Sequence, residues 1–177
     1  MKFAIEISEN VLYNLCIGGE KWCISAPISH KILKEGAKSM TGVFQHSIDS
    51  KGRIFIPAKL REELGDAFYI ALSEEECLTA YSMERWNALL EKTAALPLRK
   101  QRLLRPFFAH AAKCELDAQG RILIPQNLRD EVNLGKNAAI IGNGLYAEIW
   151  NAEKWAEIEK AETTPENLAS VFEELDI

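Results

Sequence analysis

The sequence lacks any apolar run near the roughly 20 residues that a membrane-spanning helix requires, which excludes a helical membrane span. A secretory leader is not legible either, because Glu6 and Glu9 interrupt the apolar run that should follow Lys2. Cysteine is sparse: the four residues at 16, 23, 77 and 114 form no Cys-x-x-Cys pair and no regular framework. That excludes a disulfide scaffold and leaves free thiols in a reducing cytosol as the expectation. His30, His46 and His110 show no metal-ligand spacing and the cysteines do not join them, so neither a metal nor a cofactor is expected. No nucleophile stands with a base, so no catalytic residue is assigned. Positive charge is in deficit as well, with 21 Lys and Arg against 26 Asp and Glu and a net charge of -5. Such a balance argues against indiscriminate nucleic-acid binding.

What is present is a chain of ordinary globular composition, 47% hydrophobic, with no signature of disorder. Its charge is segregated. The stretch from Leu98 to Lys113 holds five basic residues and no acid, whereas the tail from Glu153 holds eight acids and two bases. The tail accounts for the whole negative balance, so total charge does not describe the rest of the molecule. The basic stretch suits a helical connector with a solvated face or a direct role in holding phosphates.

The dominant feature is a segment written twice. Asp49-Ser-Lys-Gly52-Arg53-Ile54-Phe-Ile56-Pro57-Ala-Lys-Leu60-Arg61-Glu-Glu63-Leu64 returns 68 residues later as Asp117-Ala-Gln-Gly120-Arg121-Ile122-Leu-Ile124-Pro125-Gln-Asn-Leu128-Arg129-Asp-Glu131-Val132, with nine of the sixteen positions identical. Identity of that density, with glycine, proline and arginine in fixed places, marks a duplicated structural unit.

Each copy opens with alternating apolar residues, Phe44, His46 and Ile48 in the first and Cys114 and Leu116 in the second, which predicts a strand with one buried face. A tight loop follows, Ser50-Lys51-Gly52 or Ala118-Gln119-Gly120, whose glycine suits the positive φ of a bulged hairpin. Next come a second strand, ended by Pro57 or Pro125, and a short helix with Leu60 and Leu64, or Leu128 and Val132, on one face. Gly65 and Gly135 are expected to end these helices. A unit of about 40 residues closes little core alone. The two copies should therefore pack as a pseudo-symmetric pair that presents both loops at comparable positions.

The repeat runs further. Ala67 to Leu72 and Cys77 to Tyr81 predict strands, followed by a helix capped by Ser82; Ala138 to Ile141, Tyr146 to Trp150 and a helix capped by Asn151 echo them. Trp86 and Trp155, in matching places, are expected as core anchors. Residues 1–39 have no counterpart in either copy. Alternation from Phe3 to Ile7 and from Val11 to Ile17 predicts a strand or two, with a turn at Gly18-Gly19. Lys34-Glu35-Gly36 can be encoded by a ribosome-binding sequence at a workable distance from Met40, so translation is expected to start at Met40. An intact native mass matching the full chain would contradict that expectation.

The paired Asp-x-x-Gly-Arg-Ile-x-Ile-Pro-x-x-Leu-Arg units, with Tyr81-Ser-Met-Glu-Arg-Trp86 and the run from Ile141 to Trp155, resemble the MraZ family within the AbrB-like swapped-hairpin DNA-binding proteins. The resemblance covers the chain from Met40 to near its end. It implies a mixed α+β fold of two AbrB-like swapped-hairpin β-barrel units with short helices and a C-terminal helix. The division expected is an N-terminal extension (1–39), a first domain (44–92), a basic connector (93–111), a second domain (112–161) and an acidic tail (162–177). It further implies a cytoplasmic, nucleoid-associated regulator of the division and cell-wall gene cluster, its own gene included. Such a protein would bind promoter repeats in double-stranded DNA as a ring-shaped homo-oligomer, with no membrane and no small-molecule ligand implied.

The family's aspartate and arginine signature maps onto Asp49 with Arg53 and Asp117 with Arg121. Arginine can hold guanine O6 and N7 or bridge phosphates, so Arg53 and Arg121 are the expected DNA contacts, joined by Lys51 and Gln119 from the loops. Asp49, Gly52, Asp117 and Gly120 would orient the loops. On residue spacing alone, the same pairs could be cross-turn ion pairs that merely pin them. Arg61 and Arg129 lie beside acids and suit surface pairs or interface contacts. The loops differ, Ser50-Lys51 against Ala118-Gln119, so the halves need not contribute equally. Two rival functional classes each have one sequence feature. Gly142-Asn-Gly144 as an enzyme's phosphate loop is weak, since no helix follows and a hairpin turn explains it. An antitoxin-like interaction module is the alternative, its tail presenting Leu168, Val171, Phe172 and Leu175 at helical spacing.

Overall fold

The computed structural model describes residues 11–17, 20–26 and 39–175, and the chain divides into two units, Met1–Lys38 and Ser39–Ile177. In the first unit β1 (Val11–Ile17) and β2 (Glu20–Ala26) pair antiparallel, Val11 opposite Ala26 and Ile17 opposite Glu20. The strand expected at Phe3 to Ile7 and the turn at Gly18-Gly19 lie outside the described residues.

The second unit carries the duplication. Its first copy is β3 (Met40–Ser47), β4 (Arg53–Phe55), α1 (Ala58–Leu64), β5 (Ala67–Leu72), β6 (Leu78–Ser82) and α2 (Met83–Ala94). Two short helices, α3 (Leu98–Leu103) and α4 (Arg105–Ala109), lead to the second copy. That copy is β7 (Ala112–Glu115), β8 (Arg121–Leu123), α5 (Gln126–Glu131), β9 (Asn137–Gly144), β10 (Tyr146–Asn151) and α6 (Ala152–Glu162), with α7 (Pro165–Glu174) after it. The connector is thus helical, and Phe107 and Phe108 of α4 pack against Trp86.

The copies are interlaced rather than stacked. The strands on either side of each loop do not pair with one another: β4 pairs with β8, its counterpart in the other copy, while β3 lies on β9 and β7 on β5. The six-stranded sheet therefore reads β3-β9-β10-β6-β5-β7, an order that maps onto itself when the copies are exchanged. At its centre Glu148 stands opposite Thr79, and in the β4–β8 ribbon Ile54 stands opposite its own equivalent, Ile122. A pseudo-twofold axis runs through both pairs. The expected pseudo-symmetric packing is present, and it takes the form of strand exchange. The fold is mixed α+β, built from duplicated swapped-hairpin units with short helices and a C-terminal helix.

Sheet and ribbon enclose one core. Ile54 and Ile122 are 0% and 1% exposed and sit with Phe68, Ile70, Leu78, Ile140 and Ile149 from the sheet. The predicted helix faces, Leu60 with Leu64 and Leu128 with Val132, are all buried there. Full burial of an aliphatic side chain contributes about 1.5–3 kcal/mol, and neither copy could obtain it from its own strands alone. Trp86 is buried and stacked on Tyr69 at 4.3 Å between centroids; Trp155 packs, partly buried, beside Trp150.

Three helix ends were specified locally. Ser82 and Asn151 cap α2 and α6, their side chains accepting from Arg85 N and from Glu153 N and Lys154 N. Pro57 and Pro125 stand one position earlier than a first helical residue: each has extended ψ and offers its carbonyl to the first turn. Gly65 ends α1 with φ 79°, but Gly135 does not end α5. That helix stops at Glu131, and Asn133, at φ 47°, makes the left-handed turn. Asn133 N donates to Asp130 O and Leu134 N to Arg129 O, a Schellman closure for which asparagine serves nearly as well as glycine. The Gly142-Asn-Gly144 segment lies at the β9–β10 hairpin end, Tyr146 opposite Asn143.

Candidate functional site

The two duplicated loops adjoin one another. Each is a five-residue turn closed by backbone bonds, Asp49 N to Arg53 O at 2.9 Å and Asp117 N to Arg121 O at 2.8 Å. Within it the aspartate serves as an internal template. Asp49 Oδ1 accepts from the amides of Lys51 and Arg53, both at 2.9 Å, while Oδ2 accepts from Arg53 Nε at 2.7 Å. Asp117 repeats this: Oδ1 takes the amides of Gln119 and Arg121, and Oδ2 takes Arg121 Nε at 2.9 Å and Nη2 at 2.7 Å. These charge-assisted bonds hold both carboxyls well below their usual range, to about 2. For Asp49 the Arg53 amide is the largest cause and the guanidinium second; for Asp117 the Arg121 guanidinium comes first.

Burial in the ribbon follows a period of two. Ile54 and Ile122 point inward, which leaves Arg53 and Phe55 of β4 and Arg121 and Leu123 of β8 on the outer face. Arg53 stands opposite Leu123 and Arg121 opposite Phe55, so the arginines are diagonal neighbours, with backbones about 7–8 Å apart. Arg121 Nη1 accordingly comes within 3.9 Å of Asp49 Oδ2, and the two loops share an electrostatic neighbourhood. Both arginine side chains are partly exposed, at 33% and 26%. Lys51 and Gln119 are exposed at the loop tips.

Gly52 and Gly120 do more than turn the chain. They have φ of 82° and 75°, and each also lies beneath an arginine from the other copy. A Cβ on Gly52 would fall 2.8 Å from Arg129 Cζ, and one on Gly120 would fall 2.7 Å from Arg61 Nη1. Gly52 O accepts from Ile124 N at 3.0 Å and Gly120 O from Ile56 N at 2.9 Å, so each loop is also tied to the other copy's strand end. The supports are unequal. Arg129 Nε donates to Ile124 O at 3.1 Å and its Nη2 to Gln126 Oε1. Arg61 instead lies over the Phe55 ring, 5.3 Å from the centroid, its buried Nε without a hydrogen-bond partner among the described residues.

The eight residues singled out from the sequence, Asp49, Lys51, Gly52 and Arg53 with Asp117, Gln119, Gly120 and Arg121, thus lie in the two loops and at the starts of β4 and β8, and the approach of Arg121 to Asp49 links the loops. Sequence reasoning missed the roles of Arg61 and Arg129. Their recurrence at equivalent positions was a signal, but their targets lie in the opposite copy and no local pattern names them. Among the described residues no group of three or more His, Cys, Asp or Glu could hold a metal ion, and no helix is long and apolar enough to cross a membrane.

Comparison with known proteins gives a consistent result. The model of the family described as "MraZ protein, putative antitoxin-like" matches residues 40–103 and 107–174. The chain is 44% identical over 142 residues to a transcriptional regulator MraZ from Caldicellulosiruptor saccharolyticus, a match covering 78% of this chain and 99% of that protein. It is likewise 44% identical over 140 residues to proteins of that name from Heliobacterium modesticaldum and Natranaerobius thermophilus, each match covering 77% of this chain and 98% of the relative.

Proposed function

The chain belongs to the MraZ family, and from that membership we propose that it is a transcriptional regulator that binds promoter DNA sequence-specifically through its duplicated loops. The observation that carries this reading is the β4–β8 ribbon, whose outer face presents Arg53 and Arg121 on two antiparallel strands. A two-stranded ribbon fits the DNA major groove, and arginine pairs bidentately with guanine there. Asp49 and Asp117 hold the guanidinium groups before DNA arrives, which lowers the ordering cost of binding. Lys51 supplies a phosphate contact and Gln119 a polar one.

The regulated genes on this reading are the division and cell-wall cluster, with the protein's own promoter among them, and the protein works on the nucleoid in the cytoplasm. A ring-shaped homo-oligomer engages several promoter repeats at once, converting modest single-site contacts into tight binding through effective concentration. The deciding experiment is a DNA titration across salt concentrations. It uses the DNA upstream of the gene and a scrambled fragment, with wild type and the Arg53→Ala, Arg121→Ala double variant. Preference for the upstream DNA that is lost in the variant, at unchanged oligomer size, supports the reading. A variant that keeps the preference contradicts it.

One observation favours a second reading, an antitoxin-like or scaffold module. Helix α7 and its C-cap residue expose Leu168, Val171, Phe172 and Leu175 at 45%, 52%, 47% and 59%. Co-purification of a small basic protein with the native chain, lost on removal of α7, is the result that would move this reading ahead.

A further inference from the structure

The interlaced fold surrounds the two loops with different charges. Ile48 N donates to Lys136 O at 2.8 Å, which fixes Lys136 beside the first loop; the equivalent bond, Leu116 N to Asp66 O at 2.9 Å, puts an acid beside the second. The first loop also carries Lys51 where the second has Gln119. Next to the first loop lies a groove of about 380 Å³, lined among others by Asp49, Ser50, Arg129 and Lys136. Lys136 is exposed and Arg129 partly so. Arg121 of the second loop, meanwhile, faces both Asp117 and Asp49.

We propose that this groove is a docking site for a DNA backbone phosphate, held by Lys136 and Arg129 with Lys51 at its rim, and that the protein therefore grips DNA from the first-loop side. The inference rests on the DNA-binding reading above and adds to it a residue, Lys136, and a polarity. Two loops of identical shape impose no direction on a duplex. Each loop has an arginine from the other copy above its glycine, but Lys136 and Lys51 on the first side against Asp66 and Gln119 on the second do impose one, because phosphate contacts set register and orientation while base contacts set sequence.

Salt dependence tests this, since each phosphate contact contributes close to one unit to the slope of log K against log salt. Lys136→Gln should reduce that slope by about one, on upstream and scrambled DNA alike. The substitution leaves the backbone bond from Ile48 intact, so folding should be preserved, and the circular-dichroism melt checks this. A charge-exchange variant, Lys136→Asp with Asp66→Lys, keeps the net charge and should still lose the unit of slope. If Lys136→Gln keeps the wild-type slope, or the exchange variant restores it, the one-sided grip is overturned. The Arg53→Ala, Arg121→Ala variant separates the two levels of argument. Loss of preference there with a normal slope in Lys136→Gln leaves DNA binding standing and removes only this inference. Absence of preference in the wild type removes both.

Discussion

At the residue scale the site depends on two carboxylates and two glycines. Asp49 and Asp117 have folded pKa values near 2 against an ordinary 3.8. A depressed carboxylate pKa contributes stability that is complete above the unfolded value, about 4, and is lost as pH falls through the folded value, about 2. The loops should therefore keep their form down to about pH 3 and open below it. NMR of the Arg53 and Arg121 Nε–H signals should show the transition, and Asp49→Asn should abolish it for Arg53 while sparing Arg121.

The glycines permit a controlled comparison. Gly144 has φ 65° with open space where a Cβ would go, whereas Gly52 has both positive φ and the Arg129 guanidinium 2.8 Å away. Gly144→Ala should cost about 1–2 kcal/mol, the left-handed backbone penalty alone. Gly52→Ala should cost more, because Arg129 must also move. Urea unfolding of both variants measures the difference, and equal losses would mean that the arginine contact is soft. The glycines were legible in the sequence as turn residues. Their second constraint was not, because it comes from helices whose position depends on strand exchange.

At the element scale local chemistry was largely readable. Ser82 and Asn151 announced the starts of α2 and α6 because a side-chain oxygen three residues from an amide needs no tertiary knowledge. Replacing either with alanine should cost about 1 kcal/mol, read as a lowered midpoint in urea with unchanged slope. The end of α5 was not legible locally. Gly135 predicts the stop there, but the left-handed turn falls two residues earlier, on Asn133, and Leu134 after it is buried in the same core as Leu128. Pairing was least legible. Strand alternation in Phe44, His46 and Ile48 indicates that a strand exists and which face is buried, yet nothing in a period of two names the partner as β9 rather than β4. Burial also governs the thiols: Cys77 and Cys114 are pushed up to about 12. At pH 8 both should resist alkylation in the folded protein and react on unfolding, as peptide mass mapping would report.

At the scale of the whole molecule, the duplication says that one chain does the work of two. Every strand before and after a loop takes its partner from the other copy: β3 from β9, β4 from β8, β7 from β5. A single copy therefore has unpaired backbone along β3, β4 and β5, and its Ile54 loses the Ile122 side chain that faces it across the axis. Unpaired buried amides and a half-closed core are each costly. Yet the axis passes through equivalent residues, so a second molecule of the same copy can supply what the missing one did. An isolated chain spanning residues 40–104 should therefore fold only as a dimer, with a urea midpoint that rises with protein concentration. Sedimentation at high concentration should show twice the chain mass. Ile54→Asp should abolish folding there, by placing a carboxylate against its own copy at the axis. A monomer with concentration-independent stability would mean that each copy closes its own hairpin, and the exchanged pairing of β4 with β8 would no longer explain why the sequence carries the unit twice.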